Sequence, residues 1–422
     1  MSRRSTRPLR VALVCDWFLP RVGGIETHVC DLARQLVAAG HAVDVITTVA
    51  GQRAEPAGSG APTGRAARAG RAGAVHSPPG VRVLRLDVPL LPRVEIAYAP
   101  RTLGALERVL EAGGYDVVHC HASVFSPLAF AGAYRAHALD LPCVLTHHSV
   151  LGRAVGALAA VDRVLGWSRW RVLHSAVSPL VAGEVHAAAP ALDVRVLPNG
   201  IHPRAWAVAR RSARAGRADG VVRIASVMRL APRKRPRALV AIAERVVAAL
   251  PRELRIRIRI AGDGPERAAV ERLVRRAGLG DVIELLGWRP RAALRALYAE
   301  SDAFVLPSIL ESFGIAALEA RCAGLPVVAM RRAGPAGFVR HEQEGLLADD
   351  DADMAAQLVR LATDEALRTA IIRHNRATTP AETWTAVLAR HEALYQEALL
   401  ACRPAPAREE GAVATALRVA RG

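Results

Sequence analysis

The sequence has almost no lysine. Of its 57 lysine and arginine residues only one, Lys234, is a lysine. Aromatic residues are also scarce, at 4%, while Ala, Val, Leu, Arg and Gly dominate, a compositional bias rather than the mark of a special fold. No apolar run reaches the roughly 18–20 residues that a membrane-spanning helix needs. The cysteines (Cys15, Cys30, Cys120, Cys143, Cys322 and Cys402) lie far apart, and none forms a CxxC pair. They read as buried, reduced thiols, which disfavours a disulfide framework or a cysteine-held metal. Zinc-finger spacing, an RNP-like aromatic motif and a basic-region zipper are all missing, so nucleic acid is not an expected partner. Arginines precede the apolar stretch Val11–Cys15, but Asp16 interrupts it and no small-residue cleavage site follows promptly. That stretch reads as a first β-strand rather than a signal peptide, and the expected location is cytoplasmic.

What is present bounds the answer further. The 422 residues are enough for two or three domains, each with its own core. A hydrophobic content of 51% excludes wholesale disorder. The net charge of +18 is spread unevenly: residues 1–200 carry +7, residues 201–300 carry +14, and residues 301–422 carry −3. A basic middle third suits a phosphate-bearing ligand, an anionic membrane surface or nucleic acid.

The apolar patterning predicts an α/β chain. Arg10–Cys15 is a short apolar run of the kind that forms a strand buried on both faces. A loop, Asp16–Gly24, leads to helical spacing over Ile25–Ala39, with Val29, Leu32, Leu36 and Val37 on one face, and then to a second strand, Ala42–Thr47. Residues 51–80 are rich in Gly, Ala, Pro and Arg without periodicity and read as a mobile surface insertion. Further strands are expected at Val81–Leu86, Val117–Cys120, Cys143–Thr146, Val172–Val177 and Val194–Leu197. After the turn signal Pro198–Asn199–Gly200 a second strand–helix series starts at Val222–Val227. The expected architecture is two Rossmann-like halves, 1–200 and 201–380, facing a cleft, followed by an amphipathic helix and a tail over 381–422.

Four stretches carry chemistry. Gly23–Gly24, between the first strand and helix, lets backbone approach a ligand beside a helix N-terminus, though the GxGxxG dinucleotide fingerprint is absent and, taken alone, a Gly-Gly turn is ordinary loop punctuation. Arg229 and Lys234 flank a proline turn after the first strand of the second half, where α/β folds bind ligands. Two cations so placed clamp a diphosphate, each charge-assisted bond contributing roughly 1.5–3 kcal/mol; a solvated charge run is the alternative. Lys234 tips the balance, because an ammonium is not interchangeable with a guanidinium in a tight phosphate site. Glu311 sits in a loop and Glu319 one turn into the next helix, with Ser312, Phe313, Gly314 and Ile315 between them at the helix start. A carboxylate that accepts two hydroxyl hydrogens suits a sugar diol, and the amides suit an anion; a surface position for Glu319 is the alternative. His119 and His121 end one strand, and Thr146, His147, His148 and Ser149 end another. No carboxylate or cysteine completes a ligand set at the usual spacing, so no metal is expected; hydrogen bonding to substrate, or burial, is.

These motifs together resemble the retaining GT-B glycosyltransferases of the glycosyltransferase 4 group. The resemblance runs over residues 10–400 and is carried by GGIETHV, DVVHCHASVFSPLA, LTHHS, VLPNGI, SVMRLAPRKRP, IAGDGPE, LLGW and, above all, ESFGIAALEARCAGLPVVA, which is similar to the family's E-x7-E signature. The first half is most similar in look to the branch of phosphatidylinositol N-acetylglucosaminyl and mannosyl transferases. The resemblance implies an N-terminal acceptor domain and a C-terminal nucleotide-sugar donor domain. It implies that Gly23 and Gly24 approach the donor diphosphate, that Arg229 and Lys234 hold it, and that Glu319 binds the ribose. Glu311 would hold the transferred sugar, Ser312 to Ile315 would frame it, and Gly262, Asp263 and Gly264 would lie near the nucleotide. His121 would match a catalytically important histidine, and Glu26 a frequent acidic residue that also suits a first helical turn. One departure is Arg235–Pro236, where the family commonly has glycine.

The implied reaction is transfer of a sugar from a UDP- or GDP-sugar to a hydroxyl of a glycan or of a lipid such as phosphatidylinositol, with no cofactor or metal. Peripheral contact with an anionic inner membrane face is a further expectation. The rivals are a sugar-nucleotide epimerase or phosphorylase on the same fold, and a non-catalytic protein that binds anionic surfaces. The E-x7-E pattern disfavours the epimerase, and the lack of any lysine besides Lys234 disfavours a pyridoxal-dependent phosphorylase.

Overall fold

The computed structural model describes residues 7–21, 23–49, 78–91, 96–97, 100–208 and 220–402. Of the segments singled out in the sequence, 51–77 of the insertion, 209–219 of the inter-half stretch and the tail 403–422 lie outside the described residues.

The first half alternates strand and helix: β1 (Arg10–Cys15), α1 (Gly24–Ala38), β2 (Ala42–Thr48) and β3 (Val81–Leu86). A small antiparallel ribbon of β4 (Leu90–Leu91) and β5 (Ile96–Ala97) comes next, then α2 (Arg101–Gly113), β6 (Val117–Ala122), α3 (Pro127–Ala138) and β7 (Cys143–His147). The half continues through α4 (Val155–Leu165), β8 (Leu173–Ala176), α5 (Pro179–Ala188), β9 (Val194–Val196) and the short α6 (Pro203–Trp206). Seven strands form one parallel sheet in the order β3-β2-β1-β6-β7-β8-β9.

The second half holds β10 (Val221–Val227), α7 (Pro236–Ala249), β11 (Arg255–Ala261), α8 (Arg267–Arg276), β12 (Ile283–Gly287), α9 (Arg291–Ala299) and β13 (Ala303–Leu306). It goes on with α10 (Ile315–Cys322), β14 (Val327–Met330), β15 (Gly345–Ala348), α11 (Asp351–Thr363), α12 (Glu365–Ala377) and finally α13 (Trp384–Ala401). Its six strands are parallel in the order β12-β11-β10-β13-β14-β15.

Alternation along the strands builds the first lobe. Val11 and Leu13 of β1, Val117 of β6 and Val144 of β7 face one way and pack on Leu32 and Leu36 of α1. Ala12, Val14, Val118 and Cys120 face the other way and pack on Leu106 and Leu110 of α2 and Leu128 and Ala133 of α3. The period of two in a strand requires this split. The sequence leaves open where the last helix packs. α13 returns to the first sheet, where Val387, Leu394, Tyr395 and Ala398 share the apolar cluster of α1. In the second lobe Ile224, Ile258, Phe304 and Val328 pack with Leu239 and Ile242 of α7 and Leu358 of α11. That cluster also takes in Trp167, Val181 and Val185 of the first lobe, so apolar packing runs across the junction.

Both sheets reverse their winding beside their first strand: β1 lies between β2 and β6, and β10 between β11 and β13. In open parallel sheets ligands bind beyond the carboxyl ends of the strands at such points. The segments that follow β1, β6, β10 and β13 carry Gly23–Gly24, Ser123–Ser126, Arg229–Lys234 and Glu311–Gly314.

Candidate active site between the lobes

Lys234 and Glu311 meet. The Lys234 Nζ donates to Glu311 Oε2 at 2.5 Å, with both side chains mostly shielded from solvent. Lys234 closes a single turn of 3-10 helix after β10, and Glu311 lies in the loop after β13. The lysine turn is pinned from the next residue. Arg235 has a left-handed backbone (φ 57°), a conformation that favours glycine, the residue common here in the resembled family. Its guanidinium compensates: it donates to both carboxylate oxygens of Asp351 at 2.9 and 2.7 Å and to the Pro307 carbonyl at 3.0 Å. The departure from glycine therefore keeps the turn and adds a tether to the start of α11.

Arg229 lies at the other end of the same segment, and its charge reaches Glu26 of α1 in the first lobe. Burial raises the Glu26 carboxyl above the usual range, and Arg21 and Arg229 pull it back down. The Arg229–Ala231 stretch is stitched to the glycine loop after β11: the amide of Leu230 donates to the Asp263 carbonyl at 2.9 Å, and that of Glu266 to the Leu230 carbonyl at 2.9 Å. Gly262 has φ 138°, and a Cβ there would overlap the Met228 carbonyl oxygen, so a side chain at 262 would push the two loops apart. Gly264 is held in the same way against Leu230.

Gly23 caps α1 and Gly24 is its first residue, with open space around the Gly24 Cα. In the second lobe Gly314 (φ 89°) caps α10, and Ile315 is the first residue of that helix. Phe313 is buried against Phe338, with ring centroids 5.3 Å apart. The amide of Val150 in the first lobe donates to Ser312 Oγ at 3.3 Å, a direct bond across the junction. Two helix N-termini, an arginine, a lysine and a carboxylate thus border the interlobe region, as anion and hydroxyl recognition requires.

Glu319 is half-buried within α10 and not on an open face. Burial pushes its carboxyl up to about 8, while Arg291 and the Tyr298 hydroxyl act in the opposite direction.

The histidines differ most from the sequence expectation. His121 is only 1% exposed, and its Nδ1 lies 2.9 Å from His148 Nε2. Read as two strand-end pairs, the histidines lack a third ligand; the structure supplies one, His28 from α1, which sits with His121 and His148 in a single buried group. The sequence does carry a signal for His28, which precedes Leu32 and Leu36 at intervals of four on the buried face of α1. His119 hydrogen-bonds Thr146 Oγ1 at 2.7 Å and the Tyr395 hydroxyl at 2.8 Å, so it is a satisfied interior residue that ties α13 to the sheet. Burial drives His28, His119, His121 and His148 well below the usual histidine range, leaving them neutral at pH 7. His147 stacks on His174, 5.7 Å between centroids, on the opposite side of the strand end. Asp16, which sequence reasoning passes over, accepts from the Leu128 amide at 3.1 Å at the start of α3, and burial raises its carboxyl to about 6.

Comparison with known proteins agrees with this geometry. Residues 22–205 match the model of Glycosyltransferase Family 4, and residues 210–378 match that of Glycosyl transferases group 1. The chain is 27% identical to a phosphatidylinositol N-acetylglucosaminyltransferase subunit from Arabidopsis thaliana, over 93% of this chain and 82% of that one. It is 32% identical to the D-inositol 3-phosphate glycosyltransferase of Kribbella flavida, over 82% of this chain and 84% of that one. Among solved structures, sucrose-phosphate synthase from Thermosynechococcus elongatus superposes with a TM-score of 0.66 at 22% identity, covering 93% of this chain and all of that one.

Proposed function

The chain belongs to the group 1 and family 4 glycosyltransferases and has their GT-B fold, and from that premise we propose that it moves a sugar, with retention of anomeric configuration, from a nucleotide-diphosphate sugar to a hydroxyl of an inositol-containing acceptor. Family membership sets aside the epimerase, phosphorylase and non-catalytic readings. The observation that carries the proposal is the Lys234–Glu311 pair at the switch point of the second sheet. Donor binding exchanges that bond for two others: Lys234 turns to the diphosphate and Glu311 to hydroxyls of the sugar. Arg229 and the amides at the start of α10 share the negative charge that develops on the leaving nucleoside diphosphate, a role for fixed dipoles and cations that needs no metal at the phosphates. The acceptor oxygen forms its bond to the anomeric carbon on the face from which the phosphate oxygen departs, and its proton passes to that oxygen. His121, buried at the end of β6, acts here as a positioning residue. An inositol ring on the acceptor is supported by the names of the relatives from Arabidopsis thaliana and Kribbella flavida.

The test is to supply UDP- and GDP-sugars with inositol 3-phosphate or phosphatidylinositol and to follow nucleoside diphosphate release and the product anomer by NMR. Release that depends on the acceptor, with an unchanged anomer, is expected; an inverted anomer overturns the mechanism, and release with neither acceptor overturns the acceptor class. Glu319 adds a pH signature. With its carboxyl near 8 it is mostly protonated at pH 7, and the ribose diol calls for the carboxylate. Donor affinity measured by calorimetry therefore rises about tenfold from pH 7 to pH 9, as the competent fraction grows. Glu319→Gln flattens this profile; a flat wild-type profile removes Glu319 from the ribose site.

A lipid-borne acceptor brings the enzyme to a membrane surface, and we place it in the cytoplasm, peripheral on the inner leaflet. No described helix is long and apolar enough to cross a membrane. What supports docking is α4, none of whose residues is buried, with Val164 82% and Leu165 60% exposed and Arg163 and Arg169 beside them. An apolar helix face with a basic rim suits an anionic interface. Vesicles containing phosphatidylserine are expected to sediment the protein at physiological salt, and Val164→Asp with Leu165→Asp to release it. Equal sedimentation of both forms rules out this face.

A further inference from the structure

We propose that His28, His121 and His148 form a metal site in the first lobe that takes Zn2+ or a similar late transition-metal ion. The three residues come from separate elements, α1, the end of β6 and the residue after β7, and their ligating nitrogens all lie within 4.8 Å of one another. Two ligands on a tetrahedral zinc ion, each at 2.0–2.1 Å, stand about 3.3 Å apart. His121 Nδ1 and His148 Nε2 share a hydrogen bond of 2.9 Å, near enough to that spacing for an ion to replace the shared proton. All three side chains are buried, and His28 Nδ1 has no hydrogen-bond partner among the described residues. Interior imidazole nitrogens without partners are costly, and a ligand that uses these rings offsets the cost.

The donor set selects the ion. It contains three imidazoles and no carboxylate, which suits Zn2+, Co2+, Ni2+ or Cu2+ and disfavours Mg2+, Ca2+ and Mn2+. Three protein ligands leave a coordination position for water. The surroundings fix the rings as a metal site requires. Trp384 of α13 stacks on His28 with centroids 5.7 Å apart and planes 21° apart. The ring of His119 packs 4.1 Å from that of His121 and is itself held by Thr146 and Tyr395. The three histidines belong to the first lobe and the Lys234–Glu311 pair to the second. An ion here ties α1, whose first turn carries Gly24 and Glu26, to the ends of two strands, so its role is to hold the acceptor lobe.

The test uses the full chain after chelator treatment, titrated with Zn2+ and separately with Co2+. Elemental analysis is expected to give one ion per chain, Zn2+ to raise Tm by several degrees, and Co2+ to show the ligand-field bands of a nitrogen-ligated site. His28→Ala and His148→Ala each weaken Co2+ binding by about 100-fold or more, whereas His186→Ala, an exposed histidine of α5, leaves it unchanged. Circular dichroism of the metal-free variants confirms that they are folded. If they are not, the wild-type stoichiometry and Co2+ spectrum decide alone. Absence of those bands, or their persistence in folded His28→Ala, overturns the site.

Discussion

Replacing Lys234 with alanine lowers kcat by about 10²–10³-fold, the loss expected when a fixed charge aimed at a developing anion is removed. Lys234→Arg recovers little of it, because a planar guanidinium does not occupy the space of a compact ammonium. The argument needs a control, since Lys234 also has a structural partner. In Lys234→Ala the Glu311 carboxylate, 8% exposed, is left without its cation. An uncompensated, shielded charge destabilises, so Tm falls by a few degrees and part of the activity loss could be blamed on folding. The double variant Lys234→Ala, Glu311→Gln, compared with Glu311→Gln alone, separates the two effects: neutralising the stranded carboxylate restores Tm, and turnover stays well below that of Glu311→Gln, which keeps Lys234. Steady-state kinetics at saturating donor, with Tm measured on the same samples, checks this. A single variant within threefold of wild-type turnover would falsify the assignment of Lys234 to the leaving group.

What can be read in the sequence follows from how each feature is encoded. β1 is legible to the residue because a parallel strand covered on both faces is an uninterrupted apolar run, Val11 to Cys15. The loop-to-helix passage from Glu311 to Glu319 is legible because a glycine with positive φ and a helical run follow each other directly. Both are local signals. A helix between β7 and β8 is expected from the strand spacing, but its outward face is not legible: Val155 and Leu158 of α4 pack against the core while Val161, Val164 and Leu165 are exposed. The histidine group is half legible. The strand ends show His121 and His148, and only the packing of α1 on the sheet brings His28, more than ninety residues earlier, between them. The position of α13 has no local trace at all. Its buried positions Val387, Leu394 and Ala398 announce an amphipathic helix but not which lobe receives it.

The placement of α13 makes Trp384 the second decisive residue. The chain enters the helix through a parallel bridge between Ile201 and Thr383. The Ile201 amide donates to the Glu382 carbonyl at 2.8 Å, and the Trp384 amide returns a bond to the Ile201 carbonyl at 2.9 Å. Ile201 belongs to the segment that leads from the first lobe to the second, so this clamp fixes the C-terminal helix at the crossing point. Gly200 lies flat against the indole and has no room for a Cβ; Trp384 itself is 3% exposed and covers the His28 ring. Truncation to alanine removes most of a buried side chain where backbone on one side and a ring on the other limit collapse, a loss of about 3–5 kcal/mol. For a lobe of this size that lowers Tm by about 10 °C. Scanning calorimetry is expected to show the first lobe melting earlier while the nucleotide affinity of the second lobe is retained. Trp384→Phe keeps a stacked ring over His28 and recovers most of the loss. A fall of less than 2 °C in Trp384→Ala would mean that the indole contributes little and that α13 is held by its apolar face and the main-chain clamp at Ile201.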